Sequence, residues 1–140
     1  MKHNEPIKKH MSEKVISITE RTKLSEARKI FLEKNIQHLP VVEGEAQLVG
    51  ILSYNDLLRV DSGTLYHQDP KQADVLIDNM SSVSEAMTKE PTTLSPTQTV
   101  RDATLALSTG GFHSLPVVDG KTIVGMVTST DLLKYFSDQY

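Results

Sequence analysis

The 140-residue chain contains no cysteine, which excludes a disulfide, a thiolate nucleophile and a thiolate metal site. No apolar run is long enough to span a membrane, and the opening Met1-Lys2-His3-Asn4-Glu5 lacks the apolar core of a signal peptide. Basic residues do not dominate: 15 Lys and Arg stand against 18 Asp and Glu, a formal net charge of −3. Binding to a nucleic-acid backbone is thereby disfavoured, because no basic excess is there to release its counterions. Hydrophobic residues make up 38%, below the usual range, so a core is expected beside a substantial polar surface or linker. No Gly-x-Ser-x-Gly elbow presents a nucleophile. The expectation is a soluble cytoplasmic protein that engages neither nucleic acid nor membrane.

What is present is one stretch written twice. Val49-Gly50-Ile51-Leu52-Ser53-Tyr54-Asn55-Asp56-Leu57-Leu58 returns as Val124-Gly125-Met126-Val127-Thr128-Ser129-Thr130-Asp131-Leu132-Leu133. Each copy reads as an apolar strand, a hydroxyl residue, and an Asp three positions later that opens a helix. A strand feeding a helix N-terminus gathers unpaired backbone N–H groups and a hydroxyl at one spot, which suits an anion. The Asp offers two acceptor oxygens, which suit a pair of ribose hydroxyls. The stretch reads as half of a nucleotide site, present twice.

The rest of the chain repeats around it. Residues 1–10 read as a polar arm or frayed turn. Met11-Ser12 leads into Val15-Ile16-Ser17-Ile18, an alternating run that predicts a strand. A helix with Leu24, Ala27, Ile30 and Phe31 on one face follows, capped by Thr19 or Thr22 and ending near Asn35. Leu39-Pro40-Val41-Val42 recurs unchanged as Leu115-Pro116-Val117-Val118, and Glu43-Gly44 as Asp119-Gly120. The spacing is 116 − 40 = 76 at the prolines and 131 − 56 = 75 at the aspartates, so one residue is lost from the turn after Gly120, where loss is tolerated. Between the copies, Ser62-Gly63 and Asp69-Pro70 break the pattern, and Gln72 to Met80 predicts a helix packing on the second repeat. The expected division is an arm (1–10), a first repeat (11–60), a linker (61–84) and a second repeat (85–140). Each repeat alone is marginal in size, so the two are expected to share a core.

These residues resemble the cystathionine-β-synthase (CBS) domain, and the pair resembles a stand-alone Bateman module. The resemblance covers about Met11 to Arg59 and Met87 to Lys134. It rests on Gly50-Ile51-Leu52-Ser53-x-x-Asp56 and Gly125-Met126-Val127-Thr128-x-x-Asp131, each preceded by Leu-Pro-Val-Val. It implies an α+β fold of two tandem βαββα repeats with pseudo-two-fold symmetry, packed through their sheets and forming a homodimer. It also implies a non-catalytic regulatory module that binds AMP, ADP, ATP or S-adenosylmethionine in the cleft between repeats and signals to a regulated protein, with no required cofactor. Asp56 and Asp131 would hold the ribose, and Ser53 and Thr128 would approach phosphate. Asn55 or Thr130 would reach the phosphate of a neighbouring site, with His38 and His113 as further phosphate contacts. Ile16-Ser17 and Thr92-Thr93 would meet the adenine edge, with Ile51 and Met126 packing on it. The family's basic residue before the Pro is not Arg here; His38 and Ser114 stand at that position.

Other readings stand beside this one. Ser53-x-x-Asp56 and Thr128-x-x-Asp131 also read as capping boxes. An adaptor with vestigial ligand sites would show clefts filled by apolar side chains. A metal-sensing module would need a carboxylate cluster, and His3, His10, His38, His67 and His113 show no short ligand spacing. The acidic stretch from Asp69 to Asp78 reads as a solvated face.

Overall fold

The structure, a computed structural model, describes residues 4–60 and 69–140; Ser62-Gly63, His3 and His67 lie outside the described residues. After a 3-10 turn at Ile7–Lys9, the elements are α1 (Leu24–Lys34), β1 (His38–Glu43), β2 (Gln47–Ser53), α2 (Tyr54–Val60), α3 (Pro70–Met80), α4 (Val83–Ala86), β3 (Thr88–Lys89), α5 (Val100–Gly110), β4 (Ser114–Asp119), β5 (Thr122–Thr128) and α6 (Ser129–Ser137). The class is α+β with antiparallel strand pairing. Two compact units form. One gathers the described residues of Met1–Val15 with Ala46–Leu48 and Pro91–Tyr140; the other holds those of Ile16–Glu45 and Val49–Glu90. They are called below the Asp131 unit and the Asp56 unit.

The Asp131 unit is built on the β4–β5 hairpin, paired from Ser114↔Thr128 to Asp119↔Thr122 with an irregularity between Val117 and Val118. Leu115, Val117 and Val127 send their side chains into a core with Val100, Ala103, Leu132 and Tyr135 from α5 and α6. The arm completes that core. Ile7 is fully buried in it, the Ile7 N–H donates to Gln98 O at 2.8 Å, and the Val100 N–H donates to Glu5 O at 2.8 Å. Ser12 and Met126 exchange backbone bonds of 2.8 and 3.0 Å, so the arm runs on as a short pairing beside β5. Gly125 gives the Met11 side chain room there, since a Cβ at that position would force it to shift. Residues 5–12 are thus tied to the unit by backbone bonds and a buried anchor.

The Asp56 unit repeats this plan with the other leading segment. β3 pairs with β2 at Gly50↔Lys89 and Ile51↔Thr88, and a Cβ on Gly50 would stand 2.6 Å from Met87 Sδ. Val83, fully buried, stands where Ile7 stands, 83 − 7 = 76 residues on. Each unit therefore combines the βα body of one repeat with the segment that precedes the other. The core here is Ile18, Leu24, Ala27, Phe31, Leu39, Val41, Leu52, Leu57, Ile77, Val83 and Met87.

Several local expectations change. The predicted strand at Val15–Ile18 contracts to one bridging residue, Ile18 against Val41, with Leu94 against Val117 as its counterpart; Ile16 and Ser17 face solvent and pair with no strand. The N-cap of α1 is Lys23, with no side-chain cap. Thr19 and Thr22 instead close a turn on each other, the Thr19 N–H donating to Thr22 Oγ1 at 3.1 Å. Asn35 ends α1 in the left-handed conformation at φ +52°, which its short polar side chain tolerates. The linker helix α3 packs on the first repeat, not the second. Ile77 enters the Asp56-unit core, Asp78 accepts from the Ser25 N–H at 2.9 Å and Ser25 Oγ at 2.7 Å, and Asp74 pairs with Arg28. The acidic stretch is thus a strap onto α1 rather than a solvated face, and Asp69 caps its start by accepting from the Lys71 N–H at 3.0 Å, with Pro70 at the first helical position.

Candidate functional site

Both repeated strings build the same local geometry. At the end of β2, the Ser53 N–H donates to Asp56 Oδ2 at 2.8 Å and the Asp56 N–H donates to Ser53 Oγ at 3.1 Å. At the end of β5, the Thr128 N–H donates to Asp131 Oδ2 at 2.8 Å and the Asp131 N–H donates to Thr128 Oγ1 at 3.2 Å. These are reciprocal capping boxes. The capping reading and the binding reading are compatible in atoms. The box uses each hydroxyl as acceptor, which leaves its O–H to donate, and it uses one carboxylate oxygen, which leaves the other outside the box.

Capping alone does not mark a site. Thr99 and Asp102 form a third box at the start of α5, with bonds of 2.9 and 3.2 Å, which the sequence reading did not identify. What separates Asp131 from Asp102 is its surroundings. A cavity of about 450 Å³ is lined by Glu5, His10, Asp131, Lys134, Tyr135, Asp138 and Gln139. Every lining residue belongs to the Asp131 unit. Its volume falls in the range of small-ligand pockets, roughly 300–1,000 Å³. Tyr135, buried in the core, sets its ring centroid 4.5 Å from that of His10 with the planes tilted by 59°, and His10 Nε2 lies 3.1 Å from Glu5 Oε1.

The remaining candidates divide between the units. Thr92, Thr93, His113, Met126, Thr128 and Thr130 lie with Asp131; Ile16, Ser17, His38, Ile51, Ser53 and Asn55 lie with Asp56. Asn55 and Thr130 are exposed on the first turns of α2 and α6. The two histidines are not equivalent. The Ser129 N–H donates to His113 O at 3.0 Å, and the matching bond in the other unit is from the Tyr54 N–H to Gln37 O at 2.9 Å. His113 therefore corresponds to Gln37, and His38 to Ser114. Met126 is fixed by its backbone exchange with Ser12, and Ile51 by its pairing with Thr88. Asp56 is 9% exposed, and its Oδ1 accepts from Arg59 Nη1 at 3.3 Å.

Ser114, at the position of the family's basic residue, has its Oγ buried with no hydrogen-bond partner; it stands directly across the hairpin from Thr128, so the two side chains share a sheet face. One feature escaped the sequence reading, the arm's contribution of Glu5 and His10. Its signal was available: Ile7-x-x-x-Met11 and Val83-x-x-x-Met87 recur at the 76-residue spacing of the prolines, so the repeat begins earlier than Met11. Among the described residues, no three His, Asp or Glu side chains come together as a metal site, and no helix is long and apolar enough to cross a membrane.

Comparison with known proteins bears on this geometry. A family model described as the CBS domain matches residues 7–63 and 83–138. A CBS domain-containing protein of Dictyostelium discoideum is 33% identical over 129 residues, covering 91% of this chain and 88% of that protein. The uncharacterized protein MJ1225 of Methanocaldococcus jannaschii is 29% identical over 137 residues, 98% of this chain. The chain spans only 45% of MJ1225, and 23% of a homoserine O-acetyltransferase of Methanohalobium evestigatum to which it is 29% identical. Among solved structures, the CBS domain pair of protein MJ0100 in complex with 5′-methylthioadenosine and S-adenosyl-L-methionine superposes with a TM-score of 0.81 at 26% identity, covering 96% of this chain and 98% of that one. CBSX2, at 24% identity and a TM-score of 0.80 over 96% of this chain and 98% of that one, shares the fold. The matched residues take in both Ser/Thr-x-x-Asp strings, both Leu-Pro-Val-Val runs and the arm from Ile7 onward: the chain belongs to the CBS domain family and carries that domain twice.

Proposed function

We propose that this chain is a non-catalytic regulatory module that reversibly binds an adenosyl ligand and passes the bound state to a partner protein. The observation that carries the reading is the start of α6. There β5 ends at Thr128, which caps α6 in a box with Asp131, and Asp131 lines a cavity that runs along one face of that helix. Asp131 would accept the ribose hydroxyls. The Thr128 O–H and the first N–H groups of α6 would meet whatever substituent the 5′ position carries. Asp56 and Ser53 would do the same in the other unit, with Arg59 and His38 on hand for phosphate. The adenosyl ligands of the MJ0100 pair support this class, within which AMP, ADP, ATP and S-adenosylmethionine are the candidates. The charged lining of the cavity weighs against an adaptor whose sites have filled with apolar side chains.

A ligand regulates only through a difference in affinity between two states, and couplings of this kind amount to about 1–3 kcal/mol. A homodimer would supply a second state. Leu58 and Leu133, exposed by 43% and 67%, occupy matching positions 75 residues apart and would help to close it. Calorimetric titration with the four candidates tests binding: saturable uptake of at least one is expected, and uptake of none would defeat the reading. Sedimentation of the same samples should give the mass of two chains; a single-chain mass at all concentrations would remove the dimer.

A further inference from the structure

The two units seat their leading segments by different means. In the Asp56 unit that segment enters at Val83 and follows directly on α3. There α3 is bound to α1, Asp78 accepting from Ser25 and Asp74 pairing with Arg28, and Ile77 is buried in the core. In the Asp131 unit the leading segment is the arm, and it lies along the cavity. Adding the spacing of 76 to Glu5 and His10 gives Ser81 and Ala86. Where the Asp56 unit has two short side chains, the arm has a carboxylate and an imidazole, and both line the cavity beside Asp131.

His10 ties the arm to α6. Its Nε2 stands 3.1 Å from Glu5 Oε1, and its backbone N–H donates to Ile7 O at 2.9 Å, so the 3-10 turn is closed at both ends. Its ring centroid lies 4.5 Å from that of Tyr135. Tyr135 follows Asp131 by one turn of α6 and is buried in the cluster that holds Ile7. One wall of the cavity is therefore the arm and the other is α6. A ligand that touches both walls finds them together only while the arm is docked. Occupancy then favours docking, and docking favours occupancy by the same factor. Detaching the arm breaks its backbone bonds to Gln98, Val100 and Met126 but leaves the β4–β5 hairpin paired. It is a local opening, and such openings cost less than unfolding the whole unit.

We infer that docking of the arm is coupled to occupancy of the cavity beside Asp131, with His10 against Tyr135 as the link. A bound ligand holds residues 5–12 down. Its departure lets them open and uncovers Ile7 and Met11, which is the signal a partner reads. Ser81 and Ala86 give the Asp56 unit no equivalent of this link. The inference rests on the adenosyl reading of Asp131 and names the stretch of chain through which that site regulates.

The test follows amide hydrogen exchange in the full chain carrying Asp56→Ala, so that one site is read, with AMP and with S-adenosylmethionine. The reporters are the N–H groups of Ile7 and Ser12, which donate from the arm to Gln98 O and Met126 O. The controls are those of Leu94 and Val118, which donate to Pro116 O and Leu94 O within the same unit. Without ligand the reporters should exchange faster than the controls, because the arm opens by itself. At 100 times the dissociation constant of whichever compound binds, they should slow about 100-fold, since only the docked arm completes the site. His10→Ala leaves the Ile7 anchor in place and should cut that slowing about tenfold. Reporters that exchange no faster than the controls in the free protein would mean that the arm never opens alone, and would overturn the inference. So would saturable binding that slows them less than twofold, which leaves the adenosyl reading standing. Slowing undiminished in His10→Ala would overturn the link through Tyr135. Binding of neither compound would overturn the adenosyl reading and the coupling built on it.

Discussion

Asp131→Ala should weaken adenosyl binding by about 100-fold or more, because a carboxylate that accepts two ribose hydroxyls contributes through charged hydrogen bonds of about 1.5–3 kcal/mol each. The same change removes the N3 half of the capping box that Thr128 opens, so a loss of affinity could be mistaken for a loosened fold. The protein supplies its own control. Asp102 forms the same box with Thr99 at a helix start that does not line the cavity. Asp102→Ala should therefore lower the midpoint of thermal unfolding by a similar amount and weaken the ligand far less than Asp131→Ala, since Asp102 does not line the cavity. Asp131→Asn adds a second check: it keeps an acceptor for the cap but removes the charge. If Asp131→Ala and Asp102→Ala weaken the ligand equally, the carboxylate is a cap and nothing more.

Ile7→Ala should destabilise the Asp131 unit by about 2–5 kcal/mol, the cost of emptying a fully buried aliphatic site. Ile7 is 0% exposed and lies in one cluster with Leu94, Val100, Leu115 and Leu132. Its counterpart Val83 is likewise 0% exposed in the core of the Asp56 unit. Val83→Ala removes two methyl groups rather than three carbons and should cost somewhat less, in the other unit. Urea unfolding followed by hydrogen exchange of Leu115 and Leu132 against Leu39 and Leu57 reads which unit has lost stability. A change under about 0.5 kcal/mol on Ile7→Ala would mean that the arm is an ornament on the unit and not part of its core.

The sequence carried the fold where a residue pattern was both local and repeated. Leu39-Pro40-Val41-Val42 and its copy sit in paired strands, and the hydroxyl-x-x-Asp strings open helices as their spacing required, because a cap is settled within one turn of chain. Legibility failed where a partner lay far away. Val15-Ile16-Ser17-Ile18 alternates as a strand should, yet only Ile18 meets a neighbour, and a neighbour is what a strand needs. The acids of α3 looked solvated because Ser25 and Arg28, 53 and 46 residues earlier, gave no sign of facing them. The arm was read as loose from its Lys and His content, although Ile7 and Met11 already matched Val83 and Met87. At the site, Asp56 and Asp131 could be named from their strings, whereas Glu5 could not. Its place in the cavity depends on the bond from the Val100 N–H to Glu5 O, 100 − 5 = 95 residues on.

That distance has a kinetic side. The Asp56 unit draws nearly all its residues from one run, Ile16 to Glu90, so its core is complete once that run is available. The Asp131 unit joins Ser12 to Met126, a separation of 126 − 12 = 114 residues, and contacts of such range are slow to form because a long loop must close before they reward it. During synthesis the arm is made well before β5, so Ile7 and Met11 lack those core partners until β5 has been made. The segment that brings Glu5 and His10 to the cavity therefore carries apolar side chains open to misassociation before folding ends.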